Sequence, residues 1–173
     1  MCGIVGYIGT SHPIEVVLDG LTRLEYRGYD SAGISYVDDQ NNIITHKKAG
    51  ELGRLKEILP TIEKAPRAAI GHTRWATHGE VNDVNAHPHL SASWACVHNG
   101  IIENFSDLKE NLIERKSTFQ SETDSEVFVK MLELEDKKQT PIQMISHAFK
   151  KIDGNSAFVL LHKDSSKIYA LKR

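Results

Sequence analysis

The order in which strand and helix patterns follow one another is the strongest constraint on how this chain folds. Short apolar strand patterns and amphipathic helix patterns come in mixed order, from a strand at 3–8 and a helix opened by Pro13 to a closing hairpin within 157–171. Strict alternation would predict a doubly wound parallel sheet, whereas mixed order favours antiparallel sheets with helices on their outer faces. We therefore expect an α+β protein.

The size and charge of the chain exclude several classes of protein. With 173 residues it is long enough for one domain with a substantial core, so we predict a single domain over residues 1–173. With a net charge of -2, the chain lacks the excess of positive charge that would indicate binding to nucleic acid or to an anionic membrane surface. No apolar run approaches the roughly 18 residues of a membrane helix, and no signal peptide is recognisable. With Cys2 and Cys96 as the two cysteines, a disulfide framework is not expected, and we predict a cytoplasmic protein.

Local signals predict several boundaries. An amphipathic helix is expected over 52–62, stopped before Pro66, and a long polar loop over 72–89. The spacing of a capping box places helix starts near Thr123 and Thr140. Loops as long as the one predicted here are usually functional.

The cysteine at position 2 is the first candidate for chemistry. Loss of Met1 would leave it at the N-terminus, where its own α-amino group could serve as the base for its thiol, because such amines have an unperturbed pKa of about 7.7–8.0. One residue would then supply both nucleophile and base. Taken alone, Cys2 is more simply a cysteine that happens to be second.

Six sequence blocks, spread in a fixed order over nearly the whole chain, favour the catalytic interpretation of Cys2. They are 2–6 (CGIVG), 24–33 (LEYRGYDSAG), 72–79 (HTRWATHG), 85–89 (NAHPH), 98–104 (HNGIIEN) and 121–124 (SETD). With these blocks the chain resembles the N-terminal glutaminase domain of the class II, N-terminal-nucleophile amidotransferases. Within that family it most resembles the glucosamine-6-phosphate synthases. Together the blocks are specific, although any one alone would be weak.

The resemblance implies a fold, a reaction and a partner. The fold is a four-layer α/β/β/α sandwich of two mainly antiparallel sheets, the N-terminal nucleophile hydrolase fold. The reaction is hydrolysis of L-glutamine to L-glutamate and ammonia through a γ-glutamyl thioester on Cys2, with no metal or organic cofactor. In the family a pair of C-terminal sugar-isomerase domains uses the ammonia to make glucosamine 6-phosphate from fructose 6-phosphate. We expect those domains to be absent from residues 1–173 and the full-length family enzyme to be a homo-oligomer.

The resemblance also assigns catalytic roles. Asn99, through its side-chain amide, and Gly100, through its backbone N–H, would donate to the oxyanion that forms when the thiol attacks the substrate amide. The same dipeptide is the commonest signal for a tight turn, and both interpretations can hold. Arg27 would lie near the nucleophile and favour its thiolate. Its simpler interpretation is a cation at a helix C-terminus.

Recognition of glutamine needs a cation and an anion. Arg74 resembles the family's arginine for the α-carboxylate and Asp124 its aspartate for the α-ammonium. Thr77 and His78 resemble further contacts to the carboxylate end, and Trp75 an aromatic residue in a loop that closes over substrate. The simpler interpretations are a solvated loop arginine for Arg74 and an acidic first-turn residue, favoured by the helix dipole, for Asp124.

Three alternatives stay open at this stage. Five histidines between 72 and 98 raise the possibility of a metal site, but their spacings do not match zinc patterns, and we expect most of them to be hydrogen-bond partners in loops. Amidophosphoribosyltransferase and asparagine synthetase, which share the opening Cys-Gly-Ile, offer a second class II assignment. A non-catalytic glutamine-binding module is the third.

Overall fold

The computed structural model describes residues 2–62, 64–76, 79–164 and 167–173. Thr77 and His78, two of the expected glutamine contacts, lie outside the described residues. So does Met1, whose removal would free the amino group of Cys2.

Eight strands and five α-helices form within the described ranges. The strands are β1 (Gly3–Ile8), β2 (Ser31–Val37), β3 (Ile43–Ala49), β4 (Ala68–Arg74), β5 (His89–Leu90), β6 (Trp94–Gly100), β7 (Ser156–His162) and β8 (Lys167–Lys172). The helices are α1 (Pro13–Leu24), α2 (Leu52–Ile58), α3 (Phe105–Glu114), α4 (Ser125–Leu134) and α5 (Pro141–Phe149). None of the helices in the described part of the chain is long and apolar enough to cross a membrane.

The strands form two antiparallel four-stranded sheets. The first has the order β1-β4-β2-β3 and the second the order β5-β6-β7-β8. In the first sheet, Gly3 pairs with Thr73 and Ser31 pairs with Arg74. Every residue of β2 and β4 is buried, because these central strands are covered on both faces.

Three groups of buried apolar side chains separate four layers. Leu21 and Leu55 belong to the group under α1 and α2, on the outer face of the first sheet. Ile70 and Val97 belong to the group between the two sheets. Phe128 belongs to the group between the second sheet and α3, α4 and α5. The predicted α/β/β/α sandwich is therefore confirmed.

Two predicted boundaries are wrong. Helix α2 ends at Ile58 rather than near 62, because Leu59 precedes Pro60 and its backbone is extended (φ -74°, ψ 130°). The loop expected from residue 72 begins only after Arg74, since β4 continues through His72. Polar side chains do not end this strand, because its backbone groups pair with β1 on one side and β2 on the other.

The two predicted capping boxes have different outcomes. Thr140 forms one with Gln143 at the start of α5, with both reciprocal hydrogen bonds present. At α4 the capping position is Asp124, and its side chain makes no capping bond. Glu126 accepts hydrogen bonds from the backbone N–H and the hydroxyl of Ser121, both at 2.7 Å, so it holds the preceding segment instead.

Candidate active site

A cavity of about 230 Å³ opens where the ends of β4 and β6 meet the start of β1 and the start of α4. It is smaller than the 300–1,000 Å³ that is roughly typical for pockets of drug-sized ligands, so it suits a ligand of amino-acid size. The cavity is lined by Cys2, Arg74, Trp75, His87, His98, Asn99, Gly100, Ile101, Thr123, Asp124 and Ser125.

The thiol of Cys2 lies at this cavity between the polar backbone groups of Trp75. The backbone N–H of Trp75 donates to Sγ at 3.4 Å, and the Trp75 carbonyl oxygen is 3.8 Å from Sγ. The antiparallel pairing of Gly3 with Thr73 brings the two ends together, because Cys2 directly precedes β1 and Trp75 directly follows β4. The side-chain amide of Asn99 donates to the carbonyl oxygen of Cys2 at 3.4 Å.

A loop between α1 and β2 supports the segment that faces the thiol. Gly28 packs so closely that an added Cβ would lie 2.7 Å from the carbonyl carbon of Arg74 and 2.9 Å from the backbone nitrogen of Trp75. The carboxylate of Asp30 accepts a hydrogen bond from the backbone N–H of Ala76 at 2.8 Å. The backbone N–H of Asp30 also donates to the carbonyl oxygen of Arg74 at 3.0 Å. The loop therefore fixes the backbone of 74–76.

Two opposite charges face the same cavity. Arg74 is 4% exposed and Asp124 is 8% exposed. Burial lowers the pKa of the Arg74 guanidinium, while nearby acidic groups, Cys2 and Asp124 among them, act in the opposite direction. An arginine stays charged in proteins, so the cavity carries a buried cation at neutral pH. A small zwitterion would match this pair of charges.

Asn99 and Gly100 are the last two residues of β6. They pair with Ala157 and Ser156 of β7, so the tight-turn interpretation of this dipeptide is wrong. Gly100 has φ +136°, and a Cβ there would overlap the carbonyl oxygen of Asn155. Only glycine fits this backbone, which lets the end of the strand approach the cavity closely.

A comparison with protein families decides what kind of domain this is. Residues 72–173 match the family model described as "Glutamine amidotransferase domain". This chain belongs to that family. The matched segment begins within β4 and includes Arg74, Asn99, Gly100 and Asp124.

Curated relatives agree with the family assignment of this glutamine amidotransferase domain. It is 49% identical over 169 residues to the glutamine–fructose-6-phosphate aminotransferase (isomerizing) of Tropheryma whipplei strain Twist, covering 95% of this chain and 27% of the relative. It is 45% identical over 174 residues to the enzyme of the same name from Thermus thermophilus, covering 99% of this chain and 28% of the relative. The chain thus spans little more than a quarter of the length of these relatives.

Solved structures place the fold in the same group. The glutamine phosphoribosylpyrophosphate amidotransferase of B. subtilis superposes with a TM-score of 0.76 at 26% identity, over 94% of this chain and 35% of the other. A structure described as the allosteric regulatory enzyme of purine biosynthesis superposes with a TM-score of 0.81 at 27% identity, over 94% of this chain and 36% of the other. The expected N-terminal nucleophile fold is confirmed.

Three further residues of the amidotransferase domain were predicted to belong to the site, and the structure shows where each lies: Arg74, Trp75 and Arg27. Arg74 is not a solvated loop arginine, because it ends a buried central strand. Trp75 is 44% exposed and lies with its ring edge-on to Tyr29, with centroids 5.6 Å apart. Arg27 ends a 3₁₀ turn at 25–27 and is not among the residues that line the cavity. The catalytic role of Arg27 and the closing role of Trp75 stay predictions.

We expected most of the five histidines between 72 and 98 to lie in loops of this amidotransferase domain, and the structure contradicts this for three of them. His72, His89 and His98 lie in β4, β5 and β6, and all are buried. Burial lowers the pKa of His72 to about 3 and that of His98 to about 4, so both rings are neutral at pH 7. Among the described residues, no group of three or more histidine, cysteine, aspartate or glutamate side chains is arranged to hold a metal ion.

Several residues that line the cavity were not predicted from the sequence to be site residues. His98 and Ser125 line the cavity beside Asn99 and Asp124, and His87 lines it from the segment before β5. His87 and His98 lie inside two of the six sequence blocks, and Ser125 directly follows a third. This closeness to predicted site residues was the signal that could have identified them from the sequence.

Proposed function

We propose that this domain hydrolyses L-glutamine to L-glutamate and ammonia with Cys2 as the nucleophile. One observation carries the proposal: a thiol, a side-chain amide, a buried cation and a buried anion line one small cavity. These are the groups needed to attack an amide, to stabilise the resulting oxyanion and to bind a zwitterionic amino acid.

The reaction requires Cys2 to be N-terminal. Its thiol would pass a proton to its own α-amino group as sulfur bonds to the δ-carbon of glutamine. The oxyanion would accept hydrogen bonds from the Asn99 side chain and the Gly100 backbone, and each such donor is typically worth about 10²–10³ in turnover. The ammonium group on Cys2 would then protonate the amide nitrogen as the C–N bond breaks, so that this nitrogen leaves as ammonia. Water would cleave the thioester to release glutamate.

Substrate recognition would use the charges at the cavity. Arg74 would bind the α-carboxylate and Asp124 the α-ammonium, since charge-assisted hydrogen bonds are stronger than neutral ones. Thr77 and His78 would add contacts at the carboxylate end, and Trp75 would cover the bound substrate. Arg27 would lie near the nucleophile and favour its thiolate.

The domain would act as the ammonia-supplying part of a larger system. It spans 27% and 28% of the two curated relatives described above, which are named for fructose 6-phosphate as well as glutamine. We propose that ammonia released here passes to a sugar-isomerase domain that makes glucosamine 6-phosphate, in a homo-oligomeric enzyme. Both cysteines are free thiols, which fits the proposed cytoplasmic location.

Glutamate release tests the proposal. Protein whose mass shows loss of Met1 should hydrolyse glutamine, and Cys2→Ala in the same mature form should release no glutamate above background. Protein that retains Met1 should be folded and nearly inactive, because its amine is acylated. Undiminished hydrolysis by Cys2→Ala would overturn the proposal. Glutamine binding without hydrolysis by the mature wild-type protein would instead support a non-catalytic binding module.

A further inference from the structure

A chain of buried hydrogen bonds leads to Asp124 from β6. Nδ1 of His98 lies 2.8 Å from the hydroxyl oxygen of Ser125. That hydroxyl donates to one carboxylate oxygen of Asp124 at 3.2 Å. The other carboxylate oxygen accepts from the backbone N–H of Ile102 at 2.8 Å. Each carboxylate oxygen of Asp124 therefore accepts one hydrogen bond from the protein.

The direction of these hydrogen bonds follows from the number of protons. The Ser125 hydroxyl has one proton, and a bond to a carboxylate is stronger than one to a neutral ring, so that proton points to Asp124. Nδ1 of His98 must then carry the proton that it shares with the Ser125 oxygen. Nε2 is left as an acceptor for the Ser156 hydroxyl, whose oxygen lies 3.1 Å from Nε2 and 3.4 Å from the carbonyl oxygen of Ile101.

His98 is held by a ring contact and by a hydrogen bond to its backbone. It stacks on Phe158, with ring centroids 4.3 Å apart and an interplanar angle of 11°. Its backbone carbonyl lies 2.9 Å from Nε2 of His72, and because a carbonyl oxygen only accepts, His72 donates this bond. His98 is 3% exposed and Ser125 is 2% exposed, so water does not compete for these bonds.

We propose that His98 and Ser125 are positioning residues that set the affinity for glutamine by orienting Asp124 toward the α-ammonium group. The proposal rests on the proposed function, because it assumes that Asp124 binds this group. Ser125 acts on one carboxylate oxygen directly, and His98 acts through Ser125. Neither residue takes part in the attack on the side-chain amide.

The proposal predicts an effect that depends on the ligand. Removing the Ser125 hydroxyl takes away one hydrogen bond that holds the carboxylate of Asp124 in place. The KM for glutamine should therefore rise about 10-fold, the effect expected for one charge-assisted hydrogen bond, while kcat changes much less. Inhibition by L-glutamate, which carries an α-ammonium group, should weaken by a similar factor. Inhibition by glutarate, which lacks this group, should stay the same.

The experiment uses five variants of the mature protein, one of which is a control. Ser125→Ala removes the hydroxyl and Ser125→Thr keeps it, so the threonine variant should retain the wild-type KM. His98→Asn keeps a donor near the position of Nδ1 and should have a smaller effect than His98→Leu. Ser146→Ala, an exposed serine in α5, serves as the matched control.

Asp124→Asn separates this inference from the proposed function. If Asp124→Asn raises the KM for glutamine and Ser125→Ala does not, the positioning role is wrong and the role of Asp124 stands. Equal weakening of glutamate and glutarate inhibition by Ser125→Ala also overturns the positioning role. If Asp124→Asn leaves the KM for glutamine unchanged, Asp124 does not bind the α-ammonium group. That part of the proposed function is then wrong, and the positioning role, which depends on it, is wrong as well.

Discussion

Replacing Gly28 with alanine should damage the active site, although Gly28 itself has no proposed role in catalysis or binding. The new Cβ would lie 2.7 Å from the carbonyl carbon of Arg74 and 2.9 Å from the nitrogen of Trp75. These are backbone atoms, so no side chain can rotate away. The backbone of Gly28 itself is extended (φ -175°, ψ 129°), so alanine adopts it without strain and the effect is one of contact alone.

The size of the effect follows from these contacts. Ordinary van der Waals contact begins at 3.4 Å, so the peptide between Arg74 and Trp75 must move by about 0.7 Å. This peptide donates the N–H that contacts Sγ of Cys2. Since a 1 Å misplacement can cost about 10²-fold in rate, we expect Gly28→Ala to lower kcat/KM about 10- to 100-fold. Overpacking of this kind also costs about 1–3 kcal/mol of stability.

Gly53→Ala is the matched control. Gly53 lies in α2, and nothing is within 4 Å of the Cβ that alanine would add. This variant should keep full activity and gain about 0.5–1 kcal/mol in free energy of unfolding, because alanine favours helix more than glycine. Glutamate release and urea unfolding measure both effects. A folded Gly28→Ala protein with wild-type kcat/KM would refute the steric argument.

Two further predictions concern stability. Thr140→Ala removes the capping box at α5 and should lower the free energy of unfolding by about 1 kcal/mol with glutaminase activity unchanged; an unchanged urea midpoint would contradict this. Stability should also fall as pH decreases from about 6.5 to 5, because histidines of the unfolded chain then bind protons that the buried rings, with their lowered pKa values, do not. His72 and His98, with pKa values of about 3 and about 4, should each cost about 2 kcal/mol by pH 5, and a free energy of unfolding that is flat over this range would contradict the prediction. The four rings are His72, His87, His89 and His98.

The sequence was sufficient for several features whose signal is local. The helix opened by Pro13, the capping box of Thr140 and the closing hairpin all depend on residues close together in the chain. The end of α2 was also readable, from Pro60, although Pro66 was taken as the stop. The error at β4 has a different origin, because polar His72 and Arg74 resemble loop residues until two neighbouring strands are known to pair with them.

Sequence alone determined the mixed order of strands and helices, the family blocks and the choice of Cys2 as the candidate nucleophile. Only the tertiary structure decided which groups meet: Cys2 contacts Trp75 across 73 residues of chain, and His98 contacts Ser125 across 27. The physical reason is that strand pairing and sheet packing are long-range. The close approach of Gly28 to the backbone of 74–75, and the hydrogen bonds that hold Asp124, exist only once both sheets and α4 have assembled.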